Sequence, residues 1–257
     1  MNSREVAIVA MIGCVGASAS AQPPADPNAA ASAPPVFAIV DNSFLIEEAF
    51  NQERGVVQNI FSWTRIRHDE WEATFTQEWP LPGITHQLSF TIPFSRTAGS
   101  TGLNDVFVNY RYQLLLEGDS RPAIAPRASL ILPTGNVGEG FGDGTVGLQV
   151  NVPVSKRFGR VYLHGNAGTT WLPGVSRVDA IGGSAIWRTA SMFHLMIESV
   201  AEIGESVTVS PGFRGGWNVG ESQIVVGAGL PVTRADGRTR AALLAYFSYE
   251  LPFRSLH

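Results

Sequence analysis

Two groups of side chains in this sequence have types and spacings that could support chemistry: a glycine-rich acidic stretch and five histidines. Within the run Pro133 to Thr145 (PTGNVGEGFGDGT), Gly138 to Gly144 has the composition of a phosphate-cradling loop or a calcium-binding repeat. A phosphate loop opens a helix, but the residues from Val146 onward alternate like a strand. A calcium-binding roll needs a repeat, and this run occurs once. We therefore expect a flexible external loop, with weak calcium binding as the alternative.

The histidines show no zinc-binding pattern, since neither HExxH nor a pair four residues apart occurs among them. His86 is the candidate base of a Ser-His-Asn lipid hydrolase. That chemistry needs a serine beside it on the adjacent strand, and the sequence places none there. We predict that the chain is not an enzyme and has no cofactor or metal, with a lipid hydrolase as the least favoured function.

The remaining polar residues lie in a series of predicted β-strands that continues along most of the chain. In Ile84–Phe94 the even-numbered residues are mostly apolar and the odd-numbered ones are mostly polar, which is the two-residue period of a β-strand. About twelve such segments occur, each near the length of a tilted membrane strand, and an even number suits a closed antiparallel barrel. They are 56–65, 70–79, 84–94, 104–116, 123–133, 145–155, 160–171, 178–189, 192–203, 206–217, 222–233 and 239–253.

The charged residues separate the two faces of these segments. The more apolar register carries no Asp, Glu, Lys or Arg in the central parts of the strands, as a lipid-facing surface requires. The opposite register therefore predicts a lumen, and its charged and histidine side chains are the candidate lumen-lining residues. They are Glu72, Arg111, Arg127, His164, Arg188, His194, Glu198, Glu202, Arg214 and Arg240. Two interpretations remain open: salt bridges that only hold the barrel in shape, or a small selective pathway.

A soluble β-sandwich alternates in the same way, but two features favour a membrane protein. Aromatic residues such as Trp63, Trp171 and Phe253 lie near the ends of the apolar register, as interfacial girdles do. Lys156 is the only lysine, which is unusual for a soluble surface. The fold class we predict is all-β, a transmembrane antiparallel up-and-down barrel in the outer membrane of a Gram-negative-type bacterium.

Composition agrees with this fold and excludes other classes. The 257 residues are 44% hydrophobic and 16% charged, which is too apolar for a disordered chain. A net charge of −4 argues against a nucleic-acid partner. No apolar run is long enough for a transmembrane helix.

Residues 1–21 have the pattern of a signal peptide, with cleavage expected after Ala21. The alternative is a lipoprotein site at Cys14, the only cysteine. Residues 22–53 predict an Ala/Pro-rich linker followed by a short periplasmic segment, in which Phe44–Phe50 could form a helical turn. Residues 54–257 form the predicted barrel.

Connection lengths predict the orientation, because such barrels keep short turns in the periplasm and longer loops outside. With a periplasmic N-terminus, the Pro133 to Thr145 loop is external. The strand that closes on Phe253 resembles the C-terminal aromatic signal read by the barrel-assembly machinery, although Arg254 to His257 follow it. Outer-membrane lipids and that machinery are the partners we expect.

Three stretches resemble one known family. FLIEEAFNQERGVVQNI (Phe44 to Ile60), GLNDVFVNYRYQL (Gly102 to Leu114) and LILPTGN (Leu130 to Asn136) are similar to the outer-membrane family of the MetA pathway of phenol degradation, whose members are called transporters. The resemblance implies a barrel that takes up small, aromatic or hydrophobic compounds, and it carries no catalytic residues with it.

The favoured function is passive passage of small solutes. A non-conducting structural or binding barrel, with its lumen filled by side chains or by residues 37–53, is the alternative.

Overall fold

The computed structural model describes residues 39, 43–81 and 83–253. The predicted signal peptide, its cleavage site, Cys14 and most of the linker lie outside the described residues, as do Arg254 to His257. In the described ranges, no helix is long and apolar enough to cross a membrane.

The chain after Gly55 forms sixteen β segments in one antiparallel sheet. Four pairs of consecutive segments, β4/β5, β6/β7, β13/β14 and β15/β16, are single strands with a local interruption, which leaves twelve strands. The segments are β1 (Val56–Arg65), β2 (Trp71–Pro80), β3 (His86–Thr97), β4 (Ser100–Leu103), β5 (Val106–Tyr112), β6 (Ala123–Ile124), β7 (Arg127–Leu132), β8 (Gly147–Phe158), β9 (Val161–Trp171), β10 (Val178–Ala190), β11 (Phe193–Glu202), β12 (Ser206–Val219), β13 (Ser222–Gly229), β14 (Val232–Ala235), β15 (Arg238–Ala241) and β16 (Leu243–Pro252).

The sheet closes on itself. Each strand pairs with its sequence neighbour, and β1 pairs with β16 from Val56↔Pro252 to Arg65↔Leu243. Closure removes every free strand edge, which a barrel in a membrane requires. The predicted fold class, a twelve-stranded antiparallel barrel, is confirmed.

The two-residue period places apolar side chains outside. On β1, Phe61 and Trp63 are 49% and 36% exposed, whereas the intervening register points inward and Ile60 is buried. Cross-strand rings pack on the outer face, as with Phe61 and Phe75, whose centroids are 4.8 Å apart. The outer face is therefore a continuous apolar surface with aromatic residues near both ends.

The barrel has two distinct rims. At the terminal rim the backbone N–H of Phe253 donates to the carbonyl of Gly55, so the chain enters and leaves the barrel side by side. The opposite rim, the loop rim, carries the longest connection, residues 133–146.

The 133–146 loop is ordered rather than flexible, which corrects the sequence-based expectation. Asp105, at the interruption between β4 and β5, accepts hydrogen bonds from the amides of Gly135 and Asp143 at 2.9 and 2.8 Å. Phe141 is 1% exposed against the wall, and Val137–Glu139 form a 3-10 turn. Partial burial and the nearby Asp105 carboxylate raise the pKa of Asp143.

Candidate functional site

Residues 43–52, which we call the plug, lie inside the barrel. Ser43, Glu48 and Gln52 are fully buried although they precede the first strand. The segment predicted as a short periplasmic extension therefore ends within the lumen. The helical turn predicted for Phe44–Phe50 is wrong, because these residues form bends whose amides bond to the wall instead of to one another.

The plug enters and leaves through the same rim. Near its start, the amide of Ile39 donates to the carbonyl of Ser191 in the β10–β11 turn at the terminal rim. Near its end, the amide of Gln52 donates to Gln87 Oε1 at the start of β3. The plug is thus a loop inserted from the terminal rim, with its middle deep in the lumen.

The apolar part of the plug rests on glycines of the wall. Phe44 is 1% exposed and its ring lies 5.0 Å from that of Tyr246. A Cβ added at Gly227 would overlap the Phe44 ring, and one at Gly182 would lie 2.5 Å from Ile46 Cδ1. The wall therefore receives these side chains only because it lacks side chains of its own there.

Glu198 on β11 holds the same part of the plug through its main chain. Its Oε1 accepts hydrogen bonds from the amides of Phe44, Leu45 and Ile46 at 3.0, 2.8 and 3.1 Å. Glu198 is 1% exposed, so water does not replace these bonds. One carboxyl group fixes three successive residues.

Glu47 occupies the centre of a polar cluster on the other side. Its carboxylate pairs with Arg111 at 3.2 Å and with Arg127 at 2.9 Å. Asn151 Nδ2 donates to Glu47 Oε2 at 2.6 Å. The Glu47 amide donates to Asn166 Oδ1, and Asn166 Nδ2 donates to the Glu47 carbonyl. Such a buried pair is costly to break because one partner would remain as an uncompensated charge.

Glu48 lies in a second cluster formed with two other strands. Its Oε1 accepts from the Ser43 hydroxyl at 3.0 Å and lies 3.8 Å from His164 Nε2 and 4.0 Å from Arg214 Nη1. Arg214 Nε donates to His194 Nδ1 at 3.1 Å. The two clusters together place a carboxylate of the plug against each inward arginine of the middle of the wall.

The rest of the plug main chain also bonds to wall side chains. The amides of Ala49 and Asn51 donate to Ser155 Oγ and Gln113 Oε1 at 2.8 and 3.0 Å. Gln113 Nε2 in turn donates to the carbonyl of Ala49. Among residues 43–52, the main chain thus meets wall side chains and takes no place in the strand ladder.

Two small cavities lie beside the docked plug. One of about 60 Å³ lies between Ile46 of the plug and wall residues that include Gln149, Asn166 and Val200. Another, of about 10 Å³, lies beside Glu47 and Glu78. These volumes hold only a few water molecules.

The ten sequence-predicted lumen residues all belong to the inward register, but they divide into two groups. Arg111, Arg127, His164, Glu198 and Arg214 contact the plug, and His194 contacts Arg214. The remaining four lie away from it: Glu72 and Glu202 toward the loop rim, Arg240 exposed in the β15 hairpin, and Arg188 over the Tyr162 ring near the terminal rim.

The sequence analysis missed the plug side of the site. Glu47 and Glu48 were assigned to a helical turn, and Gln113 and Ser155 were not singled out. The signal that could have found them is charge balance: three inward arginines at mid-strand face two adjacent carboxylates just ahead of the first strand.

The structure offers little for the enzyme or metal alternatives. Within the described part of the chain, no three His, Cys, Asp or Glu side chains are placed to hold a metal ion. His86 bonds to the Tyr110 hydroxyl at 2.6 Å rather than to a serine. Ser155 bonds to His164 at 2.8 Å, but its hydroxyl is fully buried and accepts from the amide of Ala49, so it serves the plug.

Comparison with solved structures gives the fold. The chain is similar to the COG4313 outer membrane channel from Pseudomonas putida F1, with a TM-score of 0.55 and 11% identity over 77% of this chain and 96% of that one. The two chains share a β-barrel fold. The β domain of the Bordetella autotransporter BrkA also aligns, with a TM-score of 0.41 and 13% identity over 77% of this chain and 99% of that one. No family model and no curated protein matches the sequence, so the resemblance to the phenol-degradation family stays a prediction.

Proposed function

We propose that this protein is an outer-membrane channel for small solutes that is closed at rest by its own plug. The observation that carries the proposal is the way the plug is held. Its main chain bonds to wall side chains, so it can leave the lumen without breaking the hydrogen-bond ladder of the barrel. A lumen filled by the wall's own side chains would have no such movable part.

The lining of the 60 Å³ cavity suggests the type of solute. Leu45, Ile46 and Val200 are apolar, while Gln149 and Asn166 offer amide groups. This combination suits a small molecule with one apolar and one polar part, in line with the aromatic or hydrophobic compounds that the family resemblance implies. The carboxyl-terminal strand remains the segment we expect the barrel-assembly machinery to read.

A disulfide across the plug tests this function. The hydroxyls of Ser43 and Ser184 lie 3.2 Å apart, so the double variant S43C/S184C can form a disulfide after a small adjustment. We expect liposomes containing the oxidised variant to exclude small aromatic acids and sugars. Reduction of the disulfide should restore the wild-type rate of swelling.

A second variant separates the two main hypotheses. Deleting residues 37–53 should open a wide conducting lumen in planar bilayers, because it removes the plug and leaves β1 intact. The single variants S43C and S184C are the controls for substitution alone. Solute entry that is equal in the oxidised and reduced double variant would refute movement of the plug, and a silent deletion variant would favour the non-conducting structural barrel.

A further inference from the structure

The outer face at the loop rim carries a row of basic and aromatic side chains across three adjacent strands. Arg65 on β1 pairs in register with Trp71 on β2, and Trp71 pairs with Arg96 on β3. All three share the outward register of Trp63 and Phe94, which are 36% and 40% exposed. Two guanidinium groups therefore flank one indole on the surface that faces lipid.

We propose that this row binds the phosphate group of an anionic glycolipid of the outer leaflet. The proposal rests on the outer-membrane location and on the loop rim facing outward, and it is independent of solute passage. Neighbouring strands are about 4.8 Å apart, which puts the Cα atoms of Arg65 and Arg96 about 10 Å apart. Two arginine side chains at that spacing can reach a single phosphate between them.

Both guanidinium groups have donors to spare. In the described residues, neither has a carboxylate within 4.0 Å. Arg65 Nε makes a long contact of 3.4 Å to the carbonyl of Arg67, and Arg96 Nη1 makes one of 3.5 Å to Thr101 Oγ1. The nearby Glu70 carboxylate pairs with Arg67 at 3.5 Å instead. Arginine donors of this kind bind phosphate oxygens in charge-assisted pairs.

Directly below the row, the outer face is apolar. Trp63, Ala73 and Phe94 are in register on the same three strands. Because Ala73 is small and its two neighbours are large aromatic rings, the surface has a shallow depression at Ala73, which Phe75 bounds on the side toward the middle of the barrel. A ligand with a phosphate at the top of an acyl chain fits this order of groups better than free phosphate does.

The basic row is confined to one sector of the loop rim. Arg234, Arg238 and Arg240 lie off the row, in the β14–β15 hairpin. On β10 the outward Asp179 pairs with Arg177 at 2.6 Å, so that guanidinium group already has a carboxylate partner. Glu139, Asp143 and Glu205 are acidic residues elsewhere on this rim.

Lipid binding to the purified full chain in non-ionic detergent tests the proposal by native mass spectrometry. The probes are bisphosphorylated lipid A, the same lipid without phosphates, and inorganic phosphate. We expect the phosphorylated lipid to bind at least tenfold more tightly than the dephosphorylated one. The variant R65Q/R96Q should bind it about 30-fold more weakly, since each arginine near a lipid surface contributes about fivefold.

The matched control is R177Q/R238Q, which makes the same change of charge at exposed positions of the loop rim outside the row. We expect its affinity to stay within about threefold of wild type. R65K/R96K should fall between wild type and R65Q/R96Q, since it keeps the charge and loses the planar fork. If the double glutamine variant does not form a heat-modifiable barrel, each single substitution replaces it, with an expected loss of about fivefold.

Three results would overturn the proposal. Equal affinity for the two lipids would exclude a phosphate site. Equal losses of affinity in R65Q/R96Q and R177Q/R238Q would show that the lipid responds only to the overall positive charge of the rim. Displacement of lipid A by an equimolar amount of inorganic phosphate would show a free-phosphate site.

Discussion

Replacing Glu198 by alanine should release the plug while leaving the barrel wall intact. The substitution removes the acceptor of three amide hydrogen bonds, from Phe44, Leu45 and Ile46. A buried donor left without a partner costs about 1–3 kcal/mol. Three independent donors would lose roughly 3–9 kcal/mol together, and because these three share one acceptor their losses are not fully additive, so we expect about 4 kcal/mol for the docking of the plug.

This loss corresponds to roughly a thousandfold shift in the docking equilibrium toward the undocked state. Two assays report it. Planar-bilayer recordings should show open events in E198A that are rare in wild type. A cysteine introduced at Ser43, which is fully buried, should react with a membrane-impermeant maleimide much faster when E198A is present.

The control is Glu202→Ala on the same strand and face. Glu202 is 4% exposed, and its carboxylate bonds to Ser206 rather than to the plug. Both variants should keep the heat-modifiable mobility of a folded barrel. If E198A and E202A showed the same labelling rate and the same conductance, the carboxyl group of Glu198 would not be what holds the plug.

Three further predictions concern the plug and the loop. Gly227→Val should displace Phe44 and raise conductance. Gly165→Val should not, because Gly165 lies on the outward register and an added Cβ would meet only the Gly182 carbonyl oxygen at 3.9 Å; equal conductance of the two variants would refute the packing of Phe44 on Gly227 as the cause. Glu47→Gln should weaken plug docking by about 3 kcal/mol, because Arg111 and Arg127 lose a buried partner, and cysteine labelling at Ser43 measures it. Asp105→Ala should expose the 133–146 loop to protease, and a loop equally resistant in the variant and the wild type would contradict the anchoring role of Asp105. Because burial raises the pKa of Asp143, the wild-type loop should resist protease best in acid and less as the pH rises through that pKa.

The sequence predicted the wall well because the barrel imposes a strict period of two. Each strand must keep one face apolar, so the alternation from Val56 to Phe253 carries both the strand count and the inward register. The closing pair of β1 and β16 follows from an even number of antiparallel strands. These features depend on local pattern alone.

The plug escaped prediction for the opposite reason. Its conformation is set by contacts with residues more than a hundred positions away, such as Glu47 with Asn166 and Phe44 with Glu198. Phe44 to Phe50 is apolar enough on one face to suggest a helix, but wall acceptors satisfy its amides in a bent form. The order of the 133–146 loop was missed similarly, because the Asp105 anchor is about 30 residues upstream.

The charges that surround the plug also determine the ion selectivity expected of the emptied barrel. With the plug docked, the guanidinium groups of Arg111, Arg127 and Arg214 face the carboxyl groups of Glu47, Glu48, Glu78 and Glu198. Departure of the plug removes the first two of these, so the three arginines outnumber the two remaining carboxyl groups of this set. The emptied barrel should therefore prefer anions, and the reversal potential of the 37–53 deletion variant in a salt gradient should have the sign of an anion-selective pore.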